Sequence, residues 1–475
     1  MKTWMLLVIA IAAIVTSAAV YTHFRGTNNP RGSTTIPAKS TLTTTINATT
    51  TVNVTTTTIS ANSANPSTSL SCANCTIWNN PPYQFSTNTT GPCAVTSVKQ
   101  LGQPVLLPPK WWPYTHNRYV WIQAYPKGGV DQLMSASVAQ SGALYNQTCL
   151  SCNNTSAPPL NRYKFSPRLS PDGNWILLDV EIPDGPVINQ SSSLSLQVQR
   201  NNGYWTNLWV TNWNGTKWYQ LTNFTAPVGG SPGAVGILDP QWSPDGRQIV
   251  FGETYKAPDE ANLQGYWNFY LVSFGVNPTT GIPYLYNITN INYPNDVFYE
   301  MQDFAPNSSQ LLVQSYTSGI NAYGVDIYSV DLQPGPDFGK YTDLTNSPYS
   351  WDEHTQYSPD GKKIAWASSL PFPDLIPQYG TLHWAYYRDY LHNEFFLMNN
   401  NGTGVEQLTR FNDPNSSQYT QQFADLLFGE WDLNGTQFLI RVYGSANFTN
   451  SSVWMVNFAG SCGGSNPNYY YEGGG

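Results

Sequence analysis

The sequence predicts an all-β chain: a β-propeller of four-stranded blades, six of them or, as the alternative, five, behind an N-terminal hydrophobic helix and a disordered Thr-rich stalk. Three observations predict it. The first is a recurring tetrad: Ser170-Pro171-Asp172-Gly173, Ser243-Pro244-Asp245-Gly246 and Ser358-Pro359-Asp360-Gly361, each followed by an aliphatic run. Two degenerate copies keep the register, Ala305-Pro306-Asn307-Ser308 and Asp432-Leu433-Asn434-Gly435, so that five starts are spaced 73, 62, 53 and 74 residues apart. The second is a closing signature, seen at Gln220-Leu221-Thr222, Asn287-Ile288-Thr289, Asp343-Leu344-Thr345 and Gln407-Leu408-Thr409, with an earlier relative at Asp131-Gln132-Leu133. The third is the set of alternating aromatic and aliphatic runs between them, such as Trp205–Trp209, Phe269–Val272, Ile327–Val330 and Phe395–Met398. Four strands per unit, repeated radially, is the sequence form of propeller blades.

The tetrad has a mechanical reason. Proline presets φ for the first central turn position, Asp bonds its own backbone, and Gly accepts a positive φ. The chain therefore reverses there between two strands. Tyr119–Tyr125 with Val130–Met134 reads as the last two strands of one more unit, and the final unit near Val453–Phe458 lacks a closing strand. A strand from the N-terminal side would complete that last blade and close the ring.

Along the chain, residues 1–22 read as a signal peptide or membrane anchor, since the uncharged run from Trp4 to Tyr21 is roughly the minimum that crosses a bilayer as a helix. Residues 23–70 form a Ser/Thr-rich stalk with no apolar period, 71–94 a Cys-containing connector, 95–461 the propeller and 462–475 a C-terminal tail. Charged residues make up only 11%, while aromatics reach 14% with 31 Tyr and 17 Trp. Asn, Thr, Ser and attached sugars are left to wet such a surface. Sequons number about seventeen, including Asn47, Asn53, Asn88, Asn146, Asn214, Asn287, Asn401, Asn434 and Asn447. With 21 basic against 29 acidic residues no phosphate-following stripe forms, so nucleic acid is excluded as a partner.

The cysteines fall as Cys72-x-x-Cys75, Cys93, Cys149-x-x-Cys152 and Cys462. In an exported chain they read as disulfides rather than zinc ligands. Cys93 and Cys462 flank the first and last candidate strands, so ring closure brings them together. No cofactor or metal motif is present, and c-type haem attachment is excluded because Thr76 and Asn153 follow the two pairs.

The tetrads, each preceded by an aromatic or aliphatic residue and followed by a polar one and an aliphatic strand, resemble the TolB-type propeller repeat over about Arg118 to Phe458. The resemblance implies the fold. It implies little about activity, because TolB carries a separate N-terminal domain for its periplasmic role and a stalk stands in that place here.

Catalytic motifs fare poorly. Gly229-Gly230-Ser231-Pro232-Gly233 matches Gly-x-Ser-x-Gly, yet the next blade begins within seven residues and leaves no room for the helix a nucleophile elbow needs. Of the histidines, His354 lies four residues before Ser358 and reads as an exposed rim histidine. A sharper pattern appears on aligning the tetrads. The residue two before each is Arg168, Gln241, Asp303, Gln356 or Glu430, and the residue one before is Leu169, Trp242, Phe304, Tyr357 or Trp431. Strand alternation sends one column between blades and the other to the central channel. The polar column is thus the expected channel lining, and Arg168, Asp303 and Glu430 the candidate floor for a ligand or cation. The functional expectation is an extracellular, membrane-anchored, glycosylated binding module for a surface protein, glycan or small ligand at the cell or envelope surface. The alternative is a secreted enzyme of lactonase, lyase or hydrolase type using the axial channel.

Overall fold

A computed structural model of the chain describes residues 90–101, 118–125, 129–138, 144–152, 154–183, 203–224, 236–256, 266–292, 299–315, 325–347, 350–372, 392–419, 424–443 and 451–465. The N-terminal segment, the stalk, Cys72, Cys75, Asn47, Asn53, Asn88, Asn447 and the Gly229–Gly233 stretch lie outside the described residues. Every regular element among those described is a strand, and no helix there is long and apolar enough to cross a membrane.

The strands assemble into six antiparallel sheets. Strand β1 (Val95–Gln100) is set aside for the seam. Blade 1 holds β2 (Arg118–Ala124), β3 (Asp131–Val138) and β4 (Leu144–Cys149). Blade 2 holds β5 (Lys164–Leu169), β6 (Trp175–Glu181), β7 (Thr206–Asn212) and β8 (Trp218–Gln220). Blade 3 runs β9 (Ile237–Trp242), β10 (Gln248–Lys256), β11 (Tyr266–Val276) and β12 (Pro283–Asn290). Blade 4 runs β13 (Tyr299–Phe304), β14 (Gln310–Ser315), β15 (Asp326–Asp331) and β16 (Tyr341–Asp343). Blade 5 runs β17 (Asp352–Tyr357), β18 (Lys363–Ser368), β19 (Glu394–Asn399) and β20 (Glu406–Gln407). Blade 6 holds β21 (Asp425–Trp431), β22 (Gln437–Tyr443) and β23 (Ser451–Phe458), and β1 pairs with β23 as its outermost strand.

The ring is therefore six-bladed and closed by an N-terminal strand. Cys93 and Cys462 are joined by a disulfide beside that pairing, with Cα atoms 4.4 Å apart, and a second bridge joins Cys149 to Cys152. Both seam cysteines are buried in one apolar cluster with Trp431, Phe438 and Phe458. Of the chain past β23, residues 459–465 stay with the ring, since Gly463 N–H donates to the Gly435 carbonyl at 2.9 Å and its own carbonyl accepts from Asp360 N–H at 3.0 Å.

Each signature has a visible job. In all three exact tetrads the serine hydroxyl donates to the aspartate (2.6, 2.6 and 2.8 Å) and accepts the N–H five residues on at 2.9 Å. Gly173, Gly246 and Gly361 sit at φ of 69°, 69° and 71°, where a Cβ is penalised. In the closing signature, the hydroxyls of Thr222, Thr345 and Thr409 accept the N–H of Leu208, Ile327 and Phe395 at 2.9, 3.0 and 2.9 Å, tying the outer strand to the start of the third.

That geometry corrects two sequence assignments. In blade 3 the tie is made by Asn292, whose side chain accepts Phe269 N–H, so Ile291-Asn292 is the closing pair and not Ile288-Thr289. In blade 1, Ser151 accepts Leu133 N–H at 3.1 Å, so the pair is Leu150-Ser151 and Asp131-Gln132-Leu133 begins the third strand. Strands β2 and β3 are thus the second and third of their blade and β4 the outer one. No strand of the described residues holds the innermost place in blade 1. With no tetrad to set the register there, the sequence offers only a Leu match, which the third strand also supplies.

Between blades lie aromatic and aliphatic clusters. Trp242 packs with Leu177, Leu208 and Val272 between blades 2 and 3, Tyr357 and Trp366 with Leu312 and Ile327 between blades 4 and 5, and Trp431 with Phe395 and Phe438 between blades 5 and 6. The aromatic column is buried as its alternation predicts: Trp242, Phe304, Tyr357 and Trp431 are no more than 3% exposed, while Leu169 is half-buried.

Candidate functional site

The inner strands β5, β9, β13, β17 and β21 carry the polar column. Its members do more stitching than converging. Asp303 accepts the N–H of Tyr357 in the next blade at 2.8 Å, and Gln241 donates to the Gln302 carbonyl of its next blade at 3.4 Å. Glu430 raises the pKa of Tyr119 in blade 1 by its charge, after burial, which acts most. Trp242 in turn donates its indole N–H to the Arg168 carbonyl at 3.3 Å. Of the expected floor of Arg168, Asp303 and Glu430, Asp303 is thus also hydrogen-bonded to the backbone of the neighbouring blade.

The convergence arises one step earlier in each strand. All five inner strands hold an extra residue opposite their partners, between Phe165 and Arg168, Leu238 and Gln241, Met301 and Asp303, Glu353 and Gln356, and Leu427 and Gly429. A bulge of this kind bends the strand and re-aims side chains, and bulges gather near functional sites. In blades 2, 3 and 5 the bulge residue is held at positive φ: Ser166 at 44°, Asp239 at 43° and His354 at 53°. For non-glycine residues this costs of order 1–2 kcal/mol each. His354 is only 7% exposed, which overturns the reading of it as a rim histidine. The left-handed bulge turns it inward, a feature period-2 counting misses.

These residues meet others that sequence spacing did not single out. His354 Nε2 lies 3.3 Å from Glu353 Oε1, both side chains being buried. Gln302, the extra residue of blade 4, accepts the Thr355 N–H at 3.1 Å that the blade 5 bulge leaves without a ladder partner. Its amide donates to Gln314 at 3.0 Å, and Gln314 donates to Glu300 at 2.5 Å. Burial pushes the Glu300 carboxyl well above the usual range, helped by the negative charges of Asp239 and Glu353, with the Gln314 bond opposing. Asp179 on β6 is likewise pushed up by burial and by Asp239, against Arg168 and a bond from Ser166. Asp239 is raised by burial, while Arg168 and His354 pull it back. Asp239 stands in blade 3 and His354 in blade 5, so the pull of His354 on Asp239 crosses the channel rather than a blade interface.

The cluster of Arg168, Asp179, Asp239, Glu300, Glu353 and His354 is incompletely paired. No ion pair within 4 Å joins Arg168 to Asp179 or Asp239 among the described residues. Arg168 Nε, Asp179 Oδ1 and Gln356 Oε1 are buried without a hydrogen-bond partner, in residues 4%, 2% and 7% exposed. Buried polar atoms without protein partners are expensive. No group of three metal-ligating side chains with metal-like geometry occurs among the described residues.

Of the sequon asparagines, Asn146, Asn214, Asn287, Asn401 and Asn434 are all exposed.

No family model matches the chain, and no curated protein matches it in sequence. Solved structures do. The chain is similar to a putative TolB from Agrobacterium tumefaciens, at 16% identity and TM-score 0.36 over 69% of this chain and 90% of that one. It is also similar to an oligogalacturonate lyase from Vibrio parahaemolyticus, at 10% identity and TM-score 0.44 over 72% of this chain and 74% of that one. A third is the β-propeller domain of the Trilobed protease from Pyrococcus furiosus, at 12% identity and TM-score 0.37 over 72% and 77%. These likenesses are of fold alone.

Proposed function

We propose that this chain is an exported, stalk-borne and sugar-bearing propeller that binds a small hydroxyl-rich molecule or glycan at its axis, without transforming it. The unpartnered Arg168 Nε, Asp179 Oδ1 and Gln356 Oε1 carry the reading. Burial raises the Asp179 and Glu300 carboxyls and so favours their protonated forms, in which a carboxyl offers both a donor and an acceptor, as the Gln side chains do. Mixed donors and acceptors suit hydroxyls, which are both. Export is supported by the N-terminal apolar run, by the sequons and by the Cys93–Cys462 bridge, since disulfides persist in oxidising compartments.

The test is a thermal-shift screen of the purified full chain against neutral sugars, amines and divalent cations, followed by calorimetry. Neutral sugars are expected to bind wild type and to lose about tenfold or more in affinity in Arg168→Met, the scale of one hydrogen bond to a charged group. Binding of amines or divalent cations alone would overturn the reading. A second reading, a secreted enzyme, is favoured by the buried Glu353–His354 pair, which has the form of an acid–base couple. Turnover of a bound sugar that disappears in Glu353→Gln would establish it.

A further inference from the structure

The triplet Asn-Gly-Thr occurs three times among the described residues, and the three copies differ in structure. At Asn214-Gly215-Thr216, between β7 and β8, Thr216 donates both its N–H and its hydroxyl to Asn214 Oδ1, at 3.2 and 2.7 Å. At Asn401-Gly402-Thr403, between β19 and β20, Thr403 does the same to Asn401 Oδ1, at 3.2 and 2.7 Å. In both hairpins a second asparagine steadies the threonine: Asn212 Nδ2 donates to Thr216 Oγ1 at 2.8 Å and Asn399 Nδ2 to Thr403 Oγ1 at 3.0 Å. Each glycine is wedged against the preceding blade, where a Cβ would meet Leu150 Cβ at 2.7 Å or the Leu344 carbonyl oxygen at 2.8 Å. The wedge fixes how each hairpin stands. Asn214 and Asn401 are exposed, and among the described residues their Nδ2 atoms make no hydrogen bond.

The third copy, Asn434-Gly435-Thr436, is wired differently. Thr436 gives its N–H and its hydroxyl to Asp432, at 2.6 and 2.9 Å, and none to Asn434. A different sequon, Asn154-Thr155-Ser156, shows the opposite defect. Ser156 does bond Asn154 Oδ1, yet Asn154 Nδ2 is spent on the Gly215 carbonyl at 2.6 Å.

A carboxamide nitrogen is a poor nucleophile because its lone pair is shared with the carbonyl. A hydroxyl donating to the carbonyl oxygen favours the imidic form, in which the nitrogen lone pair is localised. We propose that Asn214 and Asn401 are the preferred N-glycan acceptors of the ring, that Asn434 is modified less, and that Asn154 stays bare. The step joins Nδ2 to the anomeric carbon of a lipid-phosphate-linked sugar donor. The bond from that carbon to the donor phosphate breaks, the lipid phosphate leaves, and the Nδ2 proton passes to the transferase. Blades 2 and 5 stand across a six-bladed ring from one another, so the two sugars would flank the end that carries the tetrad turns. The bulge cluster, at the start of the inner strands, opens toward the other end and would stay uncovered. The inference rests on the export reading above.

The experiment is glycopeptide mass spectrometry of the full chain from a glycosylating host, in wild type and in Asn212→Ala and Asn399→Ala, which keep the sequons but release the threonines. Expected are high occupancy at Asn214 and Asn401, less at Asn434 and none at Asn154, with at least about a twofold fall at Asn214 in N212A and at Asn401 in N399A as the turn loosens. Glycans on the stalk or on Asn434 but not on Asn214 and Asn401, or occupancy unmoved by both variants, would overturn this inference and leave the export reading standing. A chain without glycan at any sequon would overturn both.

Discussion

Blades 2, 3 and 5 differ from blades 4 and 6 in a way that reverses the usual expectation. The first three carry exact Ser-Pro-Asp-Gly tetrads, and their inner strands are the ones bent through left-handed residues, at Ser166, Asp239 and His354. Blades 4 and 6 have degenerate tetrads and milder bulges. The turn after the inner strand is held by three side-chain bonds in each exact tetrad and by three to Asp432 in blade 6, so tight anchoring alone does not set the strain. The left-handed bulges accompany the serine-bearing turns, so the best-conforming repeats hold the least regular strands.

Blade 6 carries a load the others lack, the seam. The Cys93–Cys462 bridge spans a sequence separation of 369 residues. Replacing both cysteines by serine is expected to cost on the order of 5 kcal/mol in the chain-entropy account, read by chemical denaturation. No loss would mean that β1–β23 pairing alone holds the ring. The next largest effect concerns what the two groups share. Trp242→Ala in blade 3 and Trp431→Ala in blade 6 should each cost about 3–5 kcal/mol, since both rings are buried between blades. A large difference between them would break the claim that one scaffold underlies both groups.

Much of this was legible in sequence. Blade count, seam closure and the buried aromatic column followed from tetrads, alternation and two leftover cysteines. The tetrad could be read because its constraint is local: proline, a self-bonding Asp and a left-handed Gly within four residues. What sequence did not show was the bulge, because an extra residue in one strand is defined only against its partner. His354 and Asp239 therefore fell out of phase with simple alternation, while Glu300, Glu353 and Asp179 carried no spacing signal. Blade 3's true closing pair was missed for the same reason: a bulge near Asn287, at φ 49°, shifts β12.

The strain itself gives a sharper contrast. In Asp239→Gly and His354→Gly the relaxed left-handed backbone should offset about 1–2 kcal/mol of what the lost side chain costs, because glycine accepts that conformation. Met301→Gly at the corresponding place in blade 4, where φ is not left-handed and the side chain is 4% exposed, should instead cost about 2–5 kcal/mol. Denaturant midpoints compare the three, and equal destabilisation would show that the bulges of blades 3 and 5 store nothing.

The smallest effect is in pH. In blade 5 burial pushes Asp352 and Glu394 up to about 7, Asp352 helped by the charge of Asp326. A folded pKa above the unfolded one means the native state binds more protons, so these groups favour folding at low pH. That advantage fades as pH rises from about 4, the ordinary carboxylate value, through about 7. Melting temperatures should fall across that window and flatten in Glu394→Gln. A melting temperature that rises from pH 5 to 7 and ignores E394Q would contradict it.

In the proposed function, the left-handed bulges of blades 3 and 5 aim Asp239 and His354 at one axial ligand site. Calorimetric titration of the best neutral sugar into wild type, Asp239→Asn, His354→Gln and Met301→Leu tests it most directly. About a tenfold or greater loss of affinity is expected in D239N and in H354Q, each removing one polar contact, and no change in M301L. Wild-type affinity in both polar variants, or equal losses in all three, would contradict it.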